Sequence, residues 1–178
     1  MKCIHLHGPL TEDVAKRVVT QIQAAAGQPI DLRIDSPGGK FGAAIHITME
    51  MEENGFVVTT VVGQASSAAG LVAMAGDRRR IVRGGLMFIH HPAPYCSNTS
   101  DEVAAAIAEY TGQPRSVAWK WMSEERTFGA IDAKAAGLVD GIASADLLPI
   151  VFIREPPKRR PTKWLRRWRE DYERMDLR

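Results

Sequence analysis

Apolar and polar positions alternate along the first half of the chain in a pattern that predicts short strands separated by amphipathic helices. An apolar run at residues 3–7 predicts a strand. Thr11 is placed to cap a helix running to about residue 26, with Glu12 and Asp13 in its first turn, where the helix dipole favours negative charge. Residues 30–35 predict a second strand. After Ser36-Pro37-Gly38-Gly39, the side chains Phe41, Ile45 and Met49 recur every four residues and mark one face of a helix that ends near Asn54-Gly55. Residues 56–62 predict a third strand, and its unbroken apolarity predicts burial on both faces.

A helix of small residues is predicted from Ser67 to about residue 75, followed by two short strands at 81–82 and 86–89 around Gly84-Gly85. Ser100-Asp101-Glu102-Val103 opens a helix to about residue 110, Gln113-Pro114-Arg115-Ser116 opens another to about residue 125, and residues 131–136 form a third, closed by Gly137. This succession is that of repeated βα units, an α/β fold. Neither an internal repeat nor a low-complexity segment is present.

A length of 178 residues with 45% hydrophobic and 25% charged composition suits one domain with a real core. The 23 Lys and Arg against 21 Asp and Glu give a formal net charge of +2, too balanced for a chain that lives on nucleic acid. The charge is uneven, however: residues 151–178 are strongly basic and residues 1–150 are net acidic, which separates a body from a tail. The boundary is set near Arg154-Glu155-Pro156-Pro157, where two prolines stop regular structure.

In the tail, Trp164, Leu165, Trp168, Tyr172 and Met175 recur at three- and four-residue steps, which predicts an amphipathic helix over residues 162–177 with arginines on its other face. Its expected partner is the acidic body of its own or a neighbouring subunit, in preference to a membrane or nucleic acid. Cys3 and Cys96 are too few for a disulfide scaffold and lack the spacing of zinc ligands, so both are expected to be reduced, buried small hydrophobes. No stretch approaches the roughly 18 apolar residues of a membrane span, and the N-terminus has no secretory apolar region, so a cytoplasmic location is expected.

Three loops follow apolar strands, where open α/β sheets place their sites. The first, Asp35-Ser36-Pro37-Gly38-Gly39-Lys40, offers backbone amides with no Cβ in the way, a cradle for an anion or oxyanion as well as an ordinary turn. The second, from Gly63 to Gly70, enters a helix of small residues, and its Ser66 and Ser67 suit either a helix cap or a nucleophile beside unpaired amides. The third ends an apolar strand in His90-His91-Pro92, which brings an imidazole to the same kind of edge as the serines. Of the remaining histidines, His5 and His7 share one face of the first strand and are expected to pack there in preference to binding a metal, and His46 falls in mid-helix.

Together these loops resemble the caseinolytic Clp protease proteolytic subunit family, serine peptidases that share their fold with the crotonases. The resemblance is carried by Ile34-Asp-Ser-Pro-Gly-Gly39, Gly63-Gln-Ala-Ser-Ser67-Ala, Met87-Phe-Ile-His90-His-Pro92, Thr111-Gly-Gln113 and Ala136-Gly-Leu-Val-Asp140, in the family's order and at near-family spacing across residues 3–143. It implies an α/β, crotonase-like fold of repeated β-β-α units, with a short handle helix and a basic helical tail. It further implies Ser67, in preference to Ser66, as nucleophile, His90 as general base, and the amides of Gly39 and Ala68 as oxyanion hole. No metal or cofactor is implied.

Three departures from the family qualify what the resemblance implies. The family's third triad member is an aspartate, whereas its register counted back from Gly137 falls on Glu125, with Glu124 and Asp132 as alternatives. The segment between His90 and Glu125 is several helical turns shorter than in the family, which shortens the handle helix and argues for a homo-oligomeric ring without the stacked second ring. The first core strand begins at Cys3, without the axial loops that engage an ATP-driven AAA+ unfoldase, so coupling to one is less expected. The substrates implied are peptides, unfolded segments or assembly proteins. Two competing functions are a crotonase-like acyl-CoA enzyme, which uses a similar two-amide hole, and an inactive assembly subunit of the same fold.

Overall fold

A computed structural model describes residues 1–93, 97–143 and 163–176, with residues 170–176 as backbone. Its element order begins β1 (Lys2–His7), α1 (Glu12–Gln23), β2 (Ile30–Ser36), α2 (Phe41–Glu53), β3 (Val57–Ser66) and α3 (Ala68–Met74). It continues with β4 (Arg78–Val82), β5 (Leu86–Ile89), α4 (Ser97–Thr111), α5 (Arg115–Ser123), β6 (Arg126–Gly129), α6 (Ala130–Ala135), β7 (Gly141–Ala143) and α7 (Lys163–Asp176). The expected mixed α/β architecture is present. β1, β2, β3, β4 and β7 lie side by side in that order, all parallel.

β3 is the pivot of this sheet. Its first half, Val58 to Val61, pairs with β4, and its last residues, Gln64 to Ser66, pair with β5. The ladder with β2 is irregular between Ile34 and Ser36, at the point where β3 changes partner. The strand that the apolar pattern ends at residue 62 therefore runs on to Ser66, and its Val57 to Val61 segment is buried throughout, as its composition predicts. α1 and α2 close over the sheet with Val18, Ile22, Ile45 and Ile47, which are buried against Ile4, Leu6, Leu32 and Ile34. Thr11 caps α1 as expected, accepting from the Val14 amide through its side chain.

Several elements depart from the sequence pattern, each for a physical reason. β4 begins at Arg78 although Arg78-Arg79-Arg80 reads as polar, because the sheet supplies acidic partners. Arg79, nearly buried, donates to both Asp140 carboxylate oxygens (Nη2 to Oδ1 2.7 Å, backbone N to Oδ2 2.8 Å) and to the Tyr110 carbonyl (2.8 Å). Arg80 lies near the buried Asp31, which also accepts from Arg33 and from the Thr60 hydroxyl. Burial pushes the Arg80 guanidinium below its ordinary value, and Asp31 opposes that shift.

The pattern does not predict β6 and β7, which are short and carry little apolar signal. β6 forms by pairing antiparallel with β5, and β7 by pairing with β4.

Two expectations about side chains are corrected. Cys3 is exposed, because it alternates with Ile4 on β1 and takes the solvent side of an edge strand. His5 and His7 share that side and are exposed too; His5 lies 3.5 Å from the Cys3 sulfur and His7 Nδ1 3.5 Å from an Asp35 oxygen, so neither packs in the core. Cys96 and the boundary near residue 155 lie outside the described residues. Among the described residues no helix is long and apolar enough to cross a membrane.

α7 lies on the body. Trp164 and Leu165 are buried in the core cluster, and Arg167 and Arg169 pair with Glu102 of α4 and with Glu52 and Glu53 of α2. The basic helix has thus found the acidic surface that the charge division predicts.

Candidate active site

The loop after β2 is shaped by its two glycines. Leu10 donates to the Gly38 carbonyl (2.8 Å) and the Lys40 amide donates back to Leu10 (2.9 Å), which fastens the loop and leaves the Gly39 N–H outside this pairing. Gly38 has φ +87°, and a Cβ there would stand 2.4 Å from the Ser66 carbonyl oxygen and 2.9 Å from the Ser67 Cβ. Glycine is therefore what lets this loop lie directly against the turn that carries Ser67.

Ser67 joins β3 to α3 with φ 55° and ψ −127°, a backbone conformation that costs a residue with a side chain on the order of 1–3 kcal/mol. The surrounding sheet holds it there: the Ser67 amide donates to the Phe88 carbonyl of β5 (2.8 Å). Its side chain makes no capping bond to α3, and Ser66 instead donates to the Gln64 side chain (3.2 Å). The capping role that the loop left open for Ser67 is thus not the one its side chain takes. Ala68, the first helical residue, carries an amide of the kind that a helix start leaves without an internal partner.

His90 follows β5, stacked on Phe88 with ring centroids 5.1 Å apart. Pro92 follows two residues later, without an N–H to carry a strand ladder further. His90, Ser67, Ala68 and Gly39 all line one cavity of about 550 Å³, whose apolar lining includes Leu71 and Met74. Four sequence-predicted site residues, from three loops, are therefore brought to one hollow. Among the described residues no hydrogen bond joins the Ser67 hydroxyl to His90; such bonds are often long in an enzyme without substrate and tighten when it binds.

The three acidic candidates fall in different places. β5 and β6 pair antiparallel, and the last pair of the ladder is Ile89 with Arg126, so His90 and Glu125 each lie one residue beyond its end. Glu125 sits in the turn after α5 with φ 48°, exposed, its amide donating to the Met122 carbonyl (3.2 Å). Glu124 is 3.7 Å from Lys120 in a helical pair, and Asp132 lies in the first turn of α6 beside a second hollow that Arg83 also lines. Glu125 thus lies, like His90, immediately beyond the end of the β5–β6 ladder.

The motif His90-His91 hides a second arrangement that the sequence does not reveal. His91 Nδ1 lies 3.1 Å from the Ser100 hydroxyl, its Nε2 3.2 Å from the Ser123 hydroxyl, and its ring 4.8 Å from Trp119. It thereby ties the strand end that carries His90 to α4 and α5. Its partners lie nine and 32 residues away, so no local spacing signals it. Among the described residues no group of three or more His, Cys, Asp or Glu side chains could hold a metal ion.

The Clp protease family profile matches residues 1–146, all of the body up to β7. ATP-dependent Clp protease proteolytic subunit 1 of Streptomyces coelicolor is 29% identical over 170 residues, covering 83% of this chain and 77% of its own. ATP-dependent Clp protease proteolytic subunit 3 of Streptomyces avermitilis is 28% identical over 162 residues, covering 79% of this chain and 74% of its own. With its parallel sheet, its glycine loop against a strained serine turn and this match over most of its length, the chain belongs to the Clp protease family, a family of peptidases.

Proposed function

We propose that the protein is a serine endopeptidase that cleaves peptides or unfolded segments through an acyl-enzyme. Ser67 is the nucleophile, His90 the general base, Glu125 the group that orients the imidazole, and the Gly39 and Ala68 amides the oxyanion hole. His90 takes the Ser67 proton as the hydroxyl oxygen attacks the scissile carbonyl, and the oxygen that becomes negative is met by the two amides. His90 then returns the proton to the departing amine. Water, activated by the same imidazole, releases the acyl group and regenerates Ser67.

The observation that carries this reading is the strained Ser67 turn, with no capping bond, on the wall of the cavity that His90 and Gly39 also line. A helix cap has no need of that strain. A glutamate in the orienting role is chemically adequate, since its carboxylate accepts the second imidazole N–H and fixes the tautomer. The reading includes residues 1–150 as the peptidase unit, residues 151–178 as a tail, and a homo-oligomeric ring without a stacked second ring or an obligatory AAA+ unfoldase. The serine and the histidine speak against the acyl-CoA alternative, whose chemistry uses carboxylates. The glutamate in place of the family's aspartate and the shortened handle favour, as second reading, an assembly subunit without activity.

A rapid-mixing experiment with a chromogenic peptide ester separates the two. A burst of about one equivalent of product per chain, lost in Ser67→Ala, is the expected result of acyl-enzyme turnover. Turnover indistinguishable from buffer in the wild type overturns the peptidase reading and leaves the assembly subunit.

A further inference from the structure

Besides α3, two helices wall the cavity that holds Ser67: Phe41 comes from the first turn of α2, and Val103 and Ile107 from α4. α7 grips both helices from outside the cavity. The Trp168 ring meets the Phe41 ring edge-on, centroids 5.1 Å apart and planes at 73°, and Trp164 meets Tyr110 of α4 in the same manner at 5.9 Å and 81°. Charge fastens the same helix to the same two neighbours. Arg169 reaches Glu52 at 3.6 Å and pairs with Glu53, both on α2, while Arg167 lies 3.9 Å from Glu102 and the Trp164 amide donates to Glu109 at 3.5 Å, both on α4.

We infer that α7 is a clamp across the two cavity walls, and that Trp168, acting through Phe41, is a positioning residue that sets the width of the pocket and hence which side chain next to the scissile bond it accepts. The inference rests on the reading of Ser67 as nucleophile and goes beyond it, because α7 lies outside the residues 1–146 that the family profile matches. Phe41 is half-buried and touches the cavity, so the ring behind it decides whether it can swing outward. With Trp168 in place the wall is firm and a large apolar side chain packs on both helices. Without it the wall yields and the advantage of a large side chain shrinks. The ion pairs are partly exposed, so salt weakens the clamp as well.

The test uses the full chain and two peptide esters that differ only in having Phe or Ala before the scissile bond. Trp168→Ala is expected to lower the Phe-over-Ala ratio of kcat/KM by about two- to tenfold, the worth of one edge-on aromatic contact. The change should sit in KM, with the burst amplitude retained. Trp168→Phe, which can keep the edge contact, should restore most of the ratio. Arg169→Glu should move the ratio in the same direction, and combining it with Glu53→Arg should move it back. An unchanged ratio in both single variants, or a proportional fall in kcat for both esters, overturns the clamp while leaving the peptidase reading intact. A wild type whose turnover of both esters is indistinguishable from buffer overturns that reading and the clamp with it.

Discussion

The tips of β2, β3 and β5 and the edge made by β4 and β7 belong to one sheet but treat their polar groups in opposite ways. At the edge, most charged groups are paired: Arg79 divides its donors between Asp140 and the Tyr110 carbonyl, Asp31 on β2 accepts from Arg33 and Thr60, and Arg80 donates to the Thr60 hydroxyl through Nη2, its buried Nε alone standing without a partner among these groups. At the tips, the Ser67 side chain has no capping bond and the Gly39 amide stands outside the Leu10 pairing, while the backbone itself is held in an uncommon conformation. The comparison teaches where this molecule keeps its stability and where it gives some up. Paired groups hold the sheet together, and groups left without an internal partner are the ones available to a substrate.

The contrast yields graded expectations. Glu125→Gln, which keeps the shape of the side chain and removes its charge, should lower kcat by on the order of 10³–10⁴ if it orients His90, with no loss of thermal stability; steady-state ester hydrolysis and a melting curve read the two effects. Asp140→Ala should do the reverse. It strands the Arg79 guanidinium, whose side chain is 6% exposed, and because the Asp140 carboxylate is itself 33% exposed the cost should be about 2–3 kcal/mol, below that of a fully buried pair. Chemical denaturation measures this, and a change below about 0.5 kcal/mol would remove the edge as the seat of stability. The smallest change in stability is expected at the nucleophile. Ser67→Gly should relieve the positive φ and raise stability by about 1 kcal/mol while abolishing turnover, whereas a loss of stability would mean that the turn is not strained.

How much of this was legible in the sequence follows the same division. The tips announce themselves because their constraints are local: two glycines where the chain must pass a neighbouring backbone, small residues where a helix starts, and a proline that ends a strand after His90-His91. Apolar runs set β1, β2 and the first half of β3. The edge is not legible, because Arg78-Arg79-Arg80 becomes a strand only when Asp31 reaches Arg80 from 49 residues away and Asp140 reaches Arg79 from 61 residues away in the chain. β6 likewise exists because β5 is there to pair with it, and His91 gains its hydroxyl partners through α4 and α5. Cys3, His5 and His7 depart from the sequence expectation for a related reason: alternation on β1 shows that two sides exist, and the edge position decides that the second one meets solvent.

The central claim, that the serine of the strained turn attacks the substrate, is tested most directly by fluorophosphonate labelling of the full chain followed by mass mapping of the modified residue. The account predicts a single adduct on Ser67 that disappears in Ser67→Ala. An adduct on Ser66, or no adduct on a folded protein, would contradict it.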